Sequence, residues 1–198
     1  MKQTLIILFL ALATAAHAQN YKTFKGCPVG GKPKSHDDSM KNRYVINDHY
    51  IAVDFKELFK LRRDDGMPAK NVKFRGYCLL VKDGGHETCN CQEMTDKTMW
   101  DTHIEIVESN SVDQVNTNAI VCEVNSRIRD IMDKQGVDWS TKALKATMEG
   151  HMVEIGGYGF FDSKHHWPNS VVDNPNGGNL WRHTTFEVHP VTCIKILD

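Results

Sequence analysis

The chain has 198 residues and a formal charge of −1, with 40% hydrophobic and 25% charged residues. That composition is ordinary for a globular protein, and the length suffices to bury a full core without depending on disulfides or metal. The near-neutral balance excludes a protein built mainly to coat nucleic acid, and beyond residue 18 no apolar run approaches the roughly 20 residues that a membrane span needs.

Residues 1–18 read as a secretory leader. Lys2 supplies the positive end, Leu5 to Ala13 the apolar stretch, and Ala16-His17-Ala18 a small-x-small cleavage site. The protein is therefore expected to be exported, to the periplasm or the medium, and to begin near Gln19 after cleavage. Residues 19–70 form a polar, irregular N-terminal extension with Gly26, Pro28, Gly30, Gly31 and Pro33, expected to be pinned by Cys27. Within it Asp54 and Glu57 have capping-box spacing, and Phe55, Leu58, Phe59 and Leu61 fit one helical face, so a short helix is expected there.

Residues 71–198 read as a β domain. Val72 to Lys82 is rich in β-formers and ends at the turn Asp83-Gly84-Gly85. Trp100 to Glu108 alternates, with Thr102, Ile104 and Ile106 on one face and His103, Glu105 and Val107 on the other. Ala119 to Val124 is a short apolar strand. Ser126–Gln135 and Ser140–Glu149 are helical in pattern, the first ended by Gly136 and the second capped by Ser140. His151 to Phe161 is a strand bent by Gly156, Gly157 and Gly159. A long loop over 163–180 leads to a last strand, Trp181 to Ile196, interrupted at Pro190. This order predicts a mainly β protein with minor α: an OB-fold-like five-stranded Greek-key barrel with a helical insert between strands three and four. The last strand is expected to close the barrel against the first.

The six cysteines (27, 78, 89, 91, 122 and 193) allow up to three disulfides in an exported chain. Cys89 and Cys91 stand too close in sequence for an unstrained bridge, and Cys122 sits in an apolar run that suits a buried free thiol. Cys-Asn-Cys lacks the usual zinc-knuckle spacing.

A succession of segments carries a resemblance. It runs through Cys27-Pro28 with Gly30, Met40-Lys41-Asn42-Arg43, Asp101-x-His103, Ile120-Val121-Cys122-Glu123-Val124 and Gly157-Tyr158-Gly159-Phe160-Phe161-Asp162 to Trp181-Arg182-x-Thr184 and Phe186 to Thr192. It resembles a group of exported bacterial proteins with an OB-like barrel, most specifically in its W-R-x-T-x-x-E-[IV]-H-P-V-T ending. The resemblance implies fold and location and carries no reaction.

Ten histidines are many for this length. Alternation in the last strand groups Trp181, His183, Thr185, Glu187 and His189 on one face, with Arg182, Thr184, Phe186 and Val188 on the other. Two readings compete with the plain one, in which these side chains are solvated or satisfied within the fold. In the first, the protein is a binding module for a small or extended ligand, with a site on the loop before the last strand and that strand's polar face: Asp162, His165, Trp167, Trp181 and His183. In the second, it is a metal-dependent hydrolase holding zinc or manganese on His103, Glu123, Glu187 and His189, with His165 a further candidate; Asp101 joins this set only if barrel curvature brings the residues together. A third role is a structural or interaction domain of the cell envelope. Strands two and three carry Glu105, Glu108 and Glu123 instead of the basic and aromatic residues of a single-strand binder, so no strong nucleic-acid signal is present. No H-E-x-x-H, G-x-S-x-G or phosphate-loop motif appears.

Overall fold

The computed structural model describes residues 21–67, 70–113, 115–164, 170–177 and 180–197. Residues 1–18, which the sequence reads as a leader, and His165 to Trp167 lie outside the described residues. Five strands make the barrel: β1 (Asn71–Asp83), β2 (Thr102–Val107), β3 (Ile120–Val124), β4 (Met152–Phe161) and β5 (Phe186–Ile196). β1 pairs antiparallel with β2 and β2 with β3; β3 pairs parallel with β5, β5 antiparallel with β4, and β4 antiparallel with β1, which closes the barrel. This circuit is the OB topology that the element order predicts. One expectation is corrected: β5 does not close against β1 but lies between β3 and β4.

β1 serves two neighbours because it is long. Its first half, Asn71 to Tyr77, pairs with β4, and its second half, Tyr77 to Asp83, pairs with β2. Gly76 sits where the strand passes from one to the other. A Cβ there would collide with Ile106 and lie 2.6 Å from the Val107 carbonyl oxygen. β5 begins at Phe186 and runs through Pro190 instead of stopping there. The β4–β5 register slips between Gly157 and Gly159, so His189 and Pro190 both stand opposite Tyr158. Such a bulge bends the strand and re-aims its side chains.

The interior is filled by the inward positions of all five strands, among them Val72, Phe74, Ile104, Cys122, Ile155 and Val188. Each fully buried aliphatic side chain contributes about 1.5–3 kcal/mol. Two helices intervene between β3 and β4. Helix α1 of this insert (Ser126–Lys134) is capped by Asn125, whose Oδ1 accepts from Ile128 N at 2.8 Å; α2 (Thr141–Met148) is capped by Ser140 and buries Leu144 and Met148 in the core.

The extension packs onto the outside of the barrel. Among the described residues it contains two α-helices, His36–Lys41 and the expected one at Phe55–Phe59. Fully buried Arg127 of α1 pins it, donating to the carbonyls of Tyr21 at 3.1 Å and Cys27 at 2.8 Å and to Asn42 Oδ1 at 2.5 Å. A disulfide between Cys27 and Cys91 ties the extension to the segment between β1 and β2. Cys122 is a buried free thiol, as are Cys78 and Cys89, and Cys193 is a half-buried one.

Candidate metal centre on the outer barrel face

Alternation sends Ile104, Cys122 and Val188 into the core and His103, Glu105, Glu123, Glu187 and His189 to the outer face. The strand order then gathers them. His103 pairs directly with Glu123 across β2 and β3, and Val121 with Glu187 across β3 and β5, which sets His189 beside Glu123. Barrel curvature is therefore not what brings the residues together; the parallel β3–β5 pairing is. An outer face would ordinarily be solvated. Here the extension and the segment before β2 roof it, so Glu105, Glu123, Glu187 and His189 are all buried.

Asp101, Glu123 and His189 each offer one ligand atom, all within 4.8 Å of one another, so this buried group could hold a metal ion. His189 is fully buried, with Nε2 3.2 Å from Asp101 Oδ2 and Nδ1 3.1 Å from Glu123 Oε2 and 3.5 Å from Glu187 Oε2. These are ion-pair separations. Both ring nitrogens, Glu123 Oε2 and Glu187 Oε2 lack a hydrogen-bond partner among the described residues. The other Glu123 oxygen does bond, to His103 Nδ1 at 3.0 Å, and His103 Nε2 meets Glu105 Oε1 at 3.1 Å. This carboxylate–imidazole–carboxylate relay resembles the outer partners that orient metal ligands.

The electrostatics are set by burial and by close opposite charges. Burial works against a charged His189 ring, but the Glu123 charge and the oxygens of Asp101 and Glu187 push its pKa well above the usual value. Burial likewise opposes His103 protonation, and its bonds to Glu105 and Glu123 raise the pKa to about 9 all the same. Burial would lift the Glu187 carboxyl, but the Arg182 guanidinium 2.6 Å away and His189 hold it at about 2. Lys41, almost fully buried, donates to Glu87 at 3.0 Å and forms an ion pair with Asp162 at 2.8 Å; burial opposes its charge, and the surrounding carboxylates keep it protonated. Cys89 Sγ lies 3.8 Å from Asp101 Oδ2, with a pKa raised by burial and by the acidic neighbours.

A cavity of about 200 Å³ opens beside these groups, lined among others by Lys41, Lys82, Glu87, His103, Trp181 and Arg182. It lies between the β1–β2 and β4–β5 connections and against strands two and three, the face on which OB barrels take ligands.

Glu123 and His189 thus meet with Asp101, while His103 and Glu187 stand one contact further out. Asp162 and Trp181 border the cavity. His183 does not: its ring stacks on Phe59 with centroids 3.4 Å apart, and its Nδ1 faces the Thr117 carbonyl at 3.0 Å. The expected strand alternation fails there because residues 181–185 precede β5, and Arg182 turns to Glu187 instead. His165 and Trp167 lie outside the described residues. Lys41, Glu87 and Cys89 carried no site signal in the sequence, since each reaches the site from a roofing segment far from its partners in the chain.

No family model matches this chain, and no curated protein does. Among solved structures it is similar to the asparaginyl-tRNA synthetase of Entamoeba histolytica, with 10% identity and a TM-score of 0.39. That likeness covers 76% of this chain and only 24% of the synthetase chain. The fold assignment rests on the strand circuit itself.

Proposed function

We propose that this is an exported binding protein that holds one divalent metal ion on Asp101, Glu123 and His189 and presents it to a ligand in the adjoining cavity. The observation that carries the reading is the buried group itself: Asp101, Glu123 and His189 each offer one ligand atom, all within 4.8 Å of one another. A metal ion there displaces the His189 proton and takes one ring nitrogen together with oxygens of Asp101 and Glu123. One imidazole and two carboxylates suit zinc or manganese, and three protein ligands leave coordination positions for a ligand. The leader pattern and the Cys27–Cys91 disulfide support export, since disulfides persist in oxidising compartments. Among the described residues no helix is long and apolar enough to cross a membrane.

A second reading, metal-dependent hydrolysis, is favoured by the same three-ligand count, because catalytic zinc sites keep a position open for water. Turnover of simple esters and phosphodiesters by the loaded protein separates the two readings.

The test is elemental mass spectrometry of the purified protein after incubation with zinc or manganese and gel filtration. We expect about one equivalent bound, lost in Asp101→Asn and His189→Gln while circular dichroism stays native. A folded wild-type protein that retains no metal, and whose melting temperature neither metal moves, refutes the proposal. Expression in a secreting host with N-terminal sequencing tests export: the recovered chain should begin at Gln19, and an uncleaved cytosolic product refutes it.

A further inference from the structure

We infer that the ligand presented to this metal carries an oxyanion, a phosphate or a carboxylate, received by Arg182 at the wall of the cavity. The inference rests on the metal reading above and adds the ligand's chemistry to it.

Arg182 is an unusual wall residue. It is 1% exposed, yet it lines the cavity. Its Nη1 donates to Glu187 Oε1 at 2.6 Å, and the Trp181 ring lies 4.2 Å from the guanidinium carbon. Its buried Nε has no hydrogen-bond partner among the described residues. A buried, charged donor left unsatisfied costs more than a neutral one, and such groups are rare in folded proteins. The planar guanidinium fork is matched to carboxylate and phosphate oxygens. Lys41 reaches the same cavity, and Lys82 stands at its exposed rim.

Charge decides the order of events. The cavity is lined by Asp83, Glu87, Glu123, Asp162 and Glu187 against Lys41, Lys82, Arg182 and a protonated His103. Without metal this lining offers an anion no net positive charge. A divalent ion on Asp101, Glu123 and His189 adds positive charge and offers open coordination positions to the anion's oxygens. The oxyanion therefore bridges metal and Arg182, and it binds only after the metal.

Isothermal titration of inorganic phosphate, and separately of acetate, into the metal-loaded protein tests this. We expect binding of at least one of the two, no binding after chelator treatment, and at least tenfold weaker binding in Arg182→Lys. That variant keeps a charge beside Glu187 but loses Nε, and its metal content should be unchanged. Lys82→Met at the exposed rim, where folding is not at stake, should weaken the same anion a few-fold. Preference for phosphate or for acetate tells which source of oxyanion the cavity suits. Loaded protein that takes up neither, or that binds equally well in both variants, overturns the inference and leaves the metal reading standing. Failure to load metal overturns both.

Discussion

His103 makes the stability of the metal-free protein depend on pH with a computable size and sign. Its ring is buried between Glu123 and Glu105, and its pKa is raised from 6.5 to about 9. A group whose folded pKa lies above its unfolded value stabilises the fold fully below the unfolded pKa and loses that contribution as pH rises through the folded one. The stabilisation is about 3 kcal/mol at pH 6.5 and about 1 kcal/mol at pH 8.5. Raising the pH across that range in the presence of chelator should therefore remove about 2 kcal/mol, or about 4–8 °C of melting temperature for a chain of this size. Other groups titrate nearby. The buried thiols, Cys78 among them at about 12, ionise only on unfolding and add to the loss at the alkaline end, while His183, lowered by burial, acts oppositely at the acid end. The difference between wild type and His103→Gln cancels both. Urea denaturation of the two proteins at pH 6.5, 7.5 and 8.5 should show a gap that narrows by about 2 kcal/mol. A gap constant with pH would mean that His103 is neutral in the fold and that the carboxylate–imidazole relay carries no charge.

The Cys27–Cys91 bridge spans 64 residues of sequence, so replacing both cysteines by serine should cost roughly 4 kcal/mol in chain entropy; a loss below about 1 kcal/mol in urea denaturation would show that the polar contacts of Arg127, Asn125 and Lys41 hold the extension without the bridge. Gly76→Ala should destabilise by about 1–3 kcal/mol, because its methyl meets Ile106 and the Val107 carbonyl where β1 changes partner; an unchanged midpoint would refute that crossing. Thiol labelling at pH 8 should modify half-buried Cys193 in the native protein and all four free cysteines after unfolding; native labelling of Cys78 or Cys122 would contradict their burial in the core.

Period-two alternation is a local property, so it could be read from the chain. It separated His103 and Glu105 from Ile104, and Glu187 and His189 from Val188, and with the glycine-bent fourth strand it gave the barrel. What alternation does not carry is which strands lie side by side. With β5 expected beside β1, Glu123 and His189 had no reason to touch; the parallel β3–β5 pairing puts them 3.1 Å apart. His183 departs from the pattern for a related reason: the period-two pattern extends back to Trp181, whereas the strand itself begins at Phe186. Lys41 and Glu87 were illegible because a roof over a sheet face is a long-range event with no periodic signature.

That roof is what turns a row of strand polar residues into a chemical site. On an open barrel face, His103, Glu123 and His189 would be solvated and their mutual attractions weak. Covered by the extension and the segment around Cys89, they lose water and must satisfy one another or a bound cation. The fold answers part of that demand internally, with Arg182 on Glu187, Lys41 on Glu87 and Asp162, and His103 on Glu123 and Glu105. His189 completes the set, boxed by Asp101, Glu123 and Glu187 at ion-pair distance. Its raised pKa makes the imidazolium the counter-charge of these buried carboxylates. A metal ion on the same atoms must displace that proton, so metal uptake on the proposed site should release protons and weaken as pH falls.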